Sequence, residues 1–427
     1  MHVVVGGARH NQQIAFEVLD SAKRRACIVA HGVLLRCEHE SFSIDGVIET
    51  PVGHRCHCDA GCIRIAGSGH RHQCLISSET GNLTARLPII QGGMGIGVSL
   101  SNLASAVTKN GGIGIISGAQ PGYLEEDFKN NHLEANLRAL KKHIRIAKEK
   151  SQNGIIGVNL MVAMNNYAEH VKAAIDSGVD LIISGAGLPS HLPKFTKGSN
   201  VKIAPIVSSL KAAKVILKLW DRHHKVSPDM IVIEGPKAGG HLGFTKESLE
   251  DESKKFDSTI LDIIKETSIY EDKYEKKIPI IVAGGVFDGK DIAKYLKLGA
   301  SGVQMSTRFV ATYECDANIK FKEAYINCNK ESISIVKSPV GMPGRAIRNS
   351  FVQFTETEKS KVSHCYNCLI PCNPTDTPYC ISQALINAVK GDIDNGLIFC
   401  GENASKIDKI VSVETLMNEL EKDLLEA

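Results

Sequence analysis

His241 ends the run Glu234-Gly-Pro-Lys-Ala-Gly-Gly-His. An imidazole just past paired glycines can approach a bound molecule closely and exchange protons near neutral pH. A histidine turned to solvent on a surface loop is the alternative there. Gly284 and Gly285 follow the apolar run Pro279–Ala283, and Ser306 and Thr307 follow Gly302–Met305. Glycines let backbone N–H groups come close to an anion and hydroxyls add donors, so these two strand ends side by side would cradle a phosphate. Gln304 could bond a ring carbonyl or a sugar hydroxyl, and Asn159 a ring or a phosphate. Either could instead be a polar residue capping a strand end. Lys237 could pair with an anion or stand solvated on its loop.

These residues can act together only if the chain brings them to one face. Short continuous apolar runs predict parallel buried strands at Leu87–Gln91, Gly112–Ser117, Gly154–Leu160, Leu181–Ser184, Lys202–Val207, Met230–Glu234, Pro279–Ala283 and Gly302–Met305. Helical patterns fall between them: Ser101–Asn110, with Ser99 or Ser101 as a possible N-cap, then Leu133–Lys150, Tyr167–Ser177 closed by Gly178, Ser209–Trp220 and Gly289–Leu298. Eight such alternations predict an α/β chain folded as a (β/α)8 barrel, with an insertion after strand 6 at about 244–277 and a helical C-terminal extension. The runner-up, an open doubly wound sheet, would want Gly-x-Gly-x-x-Gly after its first strand. Gly92-Gly93-Met94-Gly95-Ile96-Gly97 lacks that spacing.

In such a barrel the loops after strands 7 and 8 are the usual phosphate site, and ligands lie across the carboxyl ends of the strands. Glycines or small residues follow strands 1, 4, 6 and 7, which suits a flat ligand lying close to backbone. Flavin mononucleotide fits, with its phosphate at strands 7 and 8 and its ring over the ends of strands 1 and 6. Net charge of +3 and 5% aromatic residues give no nucleic-acid signature. No apolar run approaches the roughly 20 residues of a membrane span, and no signal peptide is evident, so a cytoplasmic location is expected.

The combination Leu87–Met94, Asn159, Glu234–Gly243, Ala283–Gly285, Gly299–Phe309 and Ser338–Arg345 resembles the nitronate monooxygenase family, formerly 2-nitropropane dioxygenases, which includes flavin-dependent enoyl-acyl-carrier-protein reductases. The resemblance covers about Asn82–Phe351. It implies a TIM barrel with non-covalent FMN and assigns His241 as the catalytic histidine. It places Gly92, Gly93, Met94, Asn159, Glu234, Gly239, Gly284, Gly285, Gln304, Met305, Ser306 and Thr307 against the cofactor. Three departures stand out: Glu234 where the family often has Gln, Lys237 where Glu is common, and Ser306 where Gly is common. The implied reaction is oxidation of alkyl nitronates by dioxygen to carbonyl compounds and nitrite. The alternatives are NAD(P)H-dependent enoyl-thioester reduction and a non-catalytic flavin or metal sensor. Expected partners are a small-molecule substrate (nitronate or enoyl thioester) and dioxygen, with no nucleic acid or membrane; a homodimer stays open.

The ends of the chain read differently. Residues 1–78 carry Cys27, Cys37, Cys56, Cys58, Cys62 and Cys74 without sustained periodicity. They read as a poorly ordered extension or a stretch upstream of the true frame, with a small metal module as the alternative. The barrel is expected over 79–351 and the cysteine-bearing extension over 352–427. Cys365, Cys368, Cys372 and Cys380 could hold a zinc or an iron–sulfur cluster, but their spacing matches no standard pattern, so no metal site is assigned; the other reading is a loop of buried or inert thiols packed against a helix at Tyr379–Val389.

Overall fold

The computed structural model describes residues 83–427 in full and, upstream, the backbone of several short strands. The chain divides into two units, Met1–His70 and Arg71–Ala427. In the first, His2–Val5, Gln13–Asp20, Lys23–Ala30 and Val33–Leu34 pair as an antiparallel sheet. The cysteine side chains singled out within residues 1–78 lie outside the described residues.

In the second unit eight strands form one parallel sheet: β1 Ile89–Gln91, β2 Gly114–Ser117, β3 Ile156–Met161, β4 Leu181–Gly185, β5 Lys202–Val207, β6 Ile231–Glu234, β7 Ile280–Ala283 and β8 Gly302–Met305. The order is β2-β3-β4-β5-β6-β7-β8-β1. Between β1 and β2 the Gln91 N–H donates to Ile113 O (2.9 Å) and the Ile113 N–H donates to Ile89 O (2.9 Å), so the sheet closes on itself. The expected TIM barrel is the fold observed.

Closure divides every strand by parity, because successive side chains point to opposite faces. Ile90, Ile115, Leu181, Ile183, Ala204, Val232, Ile281 and Ala283 fill the interior. Ile89, Ile116, Val158, Ile182, Val207, Ile233, Val282 and Val303 pack outward against helices. The hairpin Cys74–Ser78/Gly81–Ala85 precedes β1, and its Ala85 joins the interior cluster.

The helices follow the predicted pattern closely. They are α1 Ser101–Lys109, α2 His132–Lys150, α3 Tyr167–Asp176, α4 Leu192–Thr196, α5 Leu210–His224, α6 Leu249–Tyr274, α7 Gly289–Lys297 and the short α8 Thr307–Val310. The insertion expected after strand 6 takes the form of α6, 26 residues long, which is itself the β6–β7 crossover and packs on α5. Beyond the barrel strands come α9 Ile319–Ile326, α10 Ser350–Thr357, α11 Ile381–Val389 and α12 Val413–Glu426. Helix α12 buries Val413, Leu416, Met417, Leu420 and Leu424 while packing against α1 and α7. The last helix of the chain therefore fills the place an eighth crossover helix would take. Among the described residues no helix is long and apolar enough to cross a membrane.

One expected detail fails. Neither Ser99 nor Ser101 caps α1. The Asp316 carboxylate does so from 216 residues away, accepting from the N–H groups of Leu100 (2.8 Å), Leu103 (3.2 Å) and Asn102 (3.3 Å). Substituting an N-cap costs about 0.5–2 kcal/mol. Asp316→Ala is expected to lower unfolding free energy by about 2 kcal/mol in denaturant titration. A change under about 0.5 kcal/mol contradicts the assignment.

Candidate active site

The inward-facing residues at the carboxyl ends of the strands become the floor of a cavity of 460 Å³, within the range of about 300–1,000 Å³ usual for small-molecule sites. Ser117, Asn159, Gly185, Ile206, Glu234, Ala283 and Gln304 line it. Strand register fixes their neighbours. Glu234 lies opposite Ala283, and Ala283 opposite Gln304, so an acid and an amide flank one methyl group in a row across β6, β7 and β8.

Twelve of the thirteen residues singled out from sequence meet here. His241, Gly93, Met94, Asn159, Glu234, Gly239, Gly284, Gly285, Gln304, Met305, Ser306 and Thr307 line the cavity, as does Lys237. Two contribute differently from expectation. Gly92 sits behind the lining, its N–H donating to Met305 O (2.8 Å), and a Cβ on it would lie 2.3 Å from Ser306 Oγ. Met305 points outward by parity and its side chain, 2% exposed, packs in the outer core, so only its backbone is available to a ligand.

Glycine is required where two loops meet. Gly284 and Gly285 hold φ near +90°, and a Cβ at Gly284 would stand 2.8 Å from Gly235 O. The turns after β6 and β7 can therefore close on each other only without a side chain there.

His241 belongs to a two-residue strand, Gly240–His241, that pairs with Gly344 and Arg345. Its Nε2 is 2.7 Å from Ser338 Oγ. The Phe399 ring stands against it edge-on, with centroids 5.1 Å apart. Burial holds the imidazole pKa down at about 4, so the ring is neutral at physiological pH. Nδ1 has no partner among the described residues.

The C-terminal segment supplies residues that carried no signal in the sequence. Glu402 bridges Lys237 Nζ (3.6 Å) and Arg345 Nη2 (3.7 Å). The Arg345 guanidinium also donates to the carbonyls of Pro236 and Ala238. Gly401 N–H donates to Thr307 Oγ1 (3.2 Å), and Asn403 Nδ2 donates to Gly285 O (2.7 Å). This segment thus ties the β6, β7 and β8 turns together. Ser338 and Arg345 lie within a stretch noticed in sequence, but nothing local marked their contacts.

A flat, phosphate-bearing ligand suits these residues. Gln304 is 8% exposed and its Oε1 is buried without a hydrogen-bond partner among the described residues, a state a ligand N–H would relieve. The four C-terminal thiols are not gathered into one cluster. Cys365 is exposed, Cys368, Cys372 and Cys380 are half-buried, and among the described residues no group of three or more His, Cys, Asp or Glu could hold one. Cys368 and Cys380 instead pack against apolar side chains at the start of α11.

The family model described as nitronate monooxygenase matches residues 77–423. A protein named probable nitronate monooxygenase from Staphylococcus saprophyticus is 25% identical over 309 residues, spanning 65% of this chain and 80% of its own. A 5-hydroxy-7a-methyl-1-oxo-octahydro-1H-indene-4-carboxyl-CoA dehydrogenase from Mycobacterium tuberculosis is 27% identical over 270 residues, spanning 63% of this chain and 65% of its own. Among solved structures, FabK from Thermotoga maritima superposes with a TM-score of 0.59 at 26% identity, covering 79% of this chain and 93% of that one.

The lowered pKa of the half-buried His241 is directly measurable. The folded imidazole takes a proton only near pH 4, whereas in the unfolded chain it does so near 6.5, so its contribution to stability is lost as pH falls through that window. NMR titration of the ring is expected to show His241 neutral down to at least about pH 5. A midpoint near 6.5 contradicts the buried geometry.

Proposed function

The chain belongs to the nitronate monooxygenase family, a family of flavin oxidoreductases, and from that premise we propose that it binds FMN and oxidises alkyl nitronates with dioxygen to carbonyl compounds and nitrite. The observation that carries the reading is the meeting of a neutral, partner-held histidine with the row Glu234, Ala283 and Gln304 at one end of the barrel. When bound, the flavin supplies the redox chemistry, taking electrons from the substrate and passing them to dioxygen.

The protein's own residues bind, orient and move protons. Gly284, Gly285, Ser306 and Thr307 would hold the phosphate, with the Gly401 and Asn403 contacts fixing the turns around it. Asn159, Glu234, Gln304 and the Gly93–Met94 turn would hold the ring. Ser338 fixes the His241 ring through Nε2. With Nε2–H donating to the Ser338 hydroxyl, Nδ1 keeps a free lone pair on a ring that lines the cavity and would take the α-proton of a neutral nitroalkane. For a substrate already ionised, the same imidazole orients the nitronate.

One observation favours a second reading. Met161, Met164, Leu188, Met342, Leu369 and Leu385 add apolar side chains to the cavity lining, and its lysine is paired with Glu402. A neutral, chain-bearing substrate such as an enoyl thioester suits that lining, with NAD(P)H as the reductant. The relative that acts on a carboxyl-CoA supports the same direction.

Anaerobic mixing separates the two. Ethyl nitronate is expected to bleach the flavin absorbance and NADH to leave it unchanged. Bleaching by NADH alone overturns the nitronate reading in favour of thioester reduction. His241→Asn is expected to retain flavin while turnover of neutral nitroethane falls by about 10²-fold or more; unchanged turnover removes the base role.

A further inference from the structure

Glu234 is a carboxyl group where the chain offers it no counter-charge. It projects inward from the end of β6, since Val232, two residues earlier, belongs to the barrel interior. Its neighbour across the sheet is the methyl group of Ala283, and one strand further stands Gln304. With strands spaced about 4.8 Å apart, the acid and the amide are about 10 Å apart at the backbone.

The charged and titratable groups that line the cavity with it are Lys237, His241, Tyr325, Cys368, Cys400 and Glu402, and among the described residues none pairs with it. On its own loop, Lys237 Nζ pairs with Glu402 (3.6 Å) and His241 Nε2 meets Ser338 Oγ (2.7 Å). From the strand that pairs with Gly240–His241, Arg345 turns to the carbonyls of Pro236 and Ala238 and to Glu402. From the C-terminal segment come Glu402 itself, committed to both cations, and the Cys400 thiol, which burial keeps protonated. The β7 turn, Ala283-Gly284-Gly285, and the β5 end, Val207-Ser208, bring no ionisable side chain. Glu234 is half-buried at the cavity floor, and desolvation there with no counter-charge to offset it favours the uncharged form and pushes its pKa up to about 7.

We propose that Glu234 acts as a neutral carboxylic acid, donating its proton as a hydrogen bond to an acceptor on the edge of a flat heteroaromatic ligand that lies over Ala283, while Gln304 Oε1 accepts an N–H from the same ligand. The inference rests on the flavin reading, because the pyrimidine edge of a flavin carries carbonyl oxygens beside a ring N–H. Gln304 supplies the second half of the match, as its buried oxygen lacks a donor among the described residues. A glutamine at 234 could donate to the same acceptor at every pH. A glutamate donates only while protonated, so ligand binding becomes coupled to one proton. The bond is present below about pH 7 and is lost as pH rises, when the carboxylate would also turn a lone pair toward the acceptor.

Fluorescence titration of the flavin-stripped protein with FMN from pH 6 to pH 9 tests this, with Glu234→Gln alongside. The wild-type dissociation constant is expected to rise at least about tenfold more across the range than that of Glu234→Gln, because each pH unit above the carboxyl pKa removes up to about tenfold in the competent form. The FMN phosphate titrates near pH 6 in both proteins and cancels in the ratio. Parallel profiles with tight binding overturn the role of Glu234 and leave the flavin reading intact. No binding of FMN by the wild type at any pH overturns both. Infrared spectra supply a readout that does not depend on the variant folding. The wild type at pH 6 is expected to show a protonated-carboxyl band that shifts on FMN addition, and its absence overturns the inference.

Discussion

Closure of the parallel sheet between β1 and β2 is the constraint on which the site depends. Two hydrogen bonds, Gln91 N–H to Ile113 O and Ile113 N–H to Ile89 O, join the first strand to the second after six others have intervened in space. Once the ring is closed, side-chain parity sorts Ile, Val and Leu between an interior and an outer layer with no freedom left over. The same parity decides what happens at the carboxyl ends. Ser117, Asn159, Glu234, Ala283 and Gln304 are simply the next inward positions above the filled interior, and they become a floor. A slip of one residue in β6 would send Glu234 into the helix layer and Ile233 into the cavity.

The site built on that floor is low in free charge. At its edge the one carboxylate of Glu402 faces both Lys237 and Arg345, His241 is neutral, and the Glu234 pKa is pushed up to about 7. Flat, weakly charged ligands suit such an environment, whereas an isolated charge would be expensive to bury. The returning C-terminal segment contributes to this balance and to rigidity. Gly239 exists for the same reason, since a Cβ on it would come within 2.5 Å of the Cys400 carbonyl carbon.

Much of this was legible in the sequence, because short apolar runs and strand-end glycines are local signals. All eight strands were marked that way, as were His241, Asn159, Gln304 and the Gly284–Gly285 turn. What escaped was contact between segments distant along the chain. Nothing in Asp316 announces that it caps α1, nor in Ser338 that it holds His241, nor in Glu402 and Asn403 that they bind the turns of the active face. Helix α12 fell within the extension read as helical, but nothing marked it as the element that completes the outer ring between α7 and α1. Met305 follows Gln304 on β8, and because adjacent strand residues alternate faces it offers the cavity its backbone while its side chain packs in the outer core.

Crystallising the protein with FMN tests the arrangement most directly. The phosphate is expected against Gly284, Gly285, Ser306 and Thr307, with the ring over Ala283 and its pyrimidine edge between Glu234 and Gln304. Flavin bound with its phosphate elsewhere, or with the ring edge facing away from that row, would contradict the geometry on which the functional reading rests.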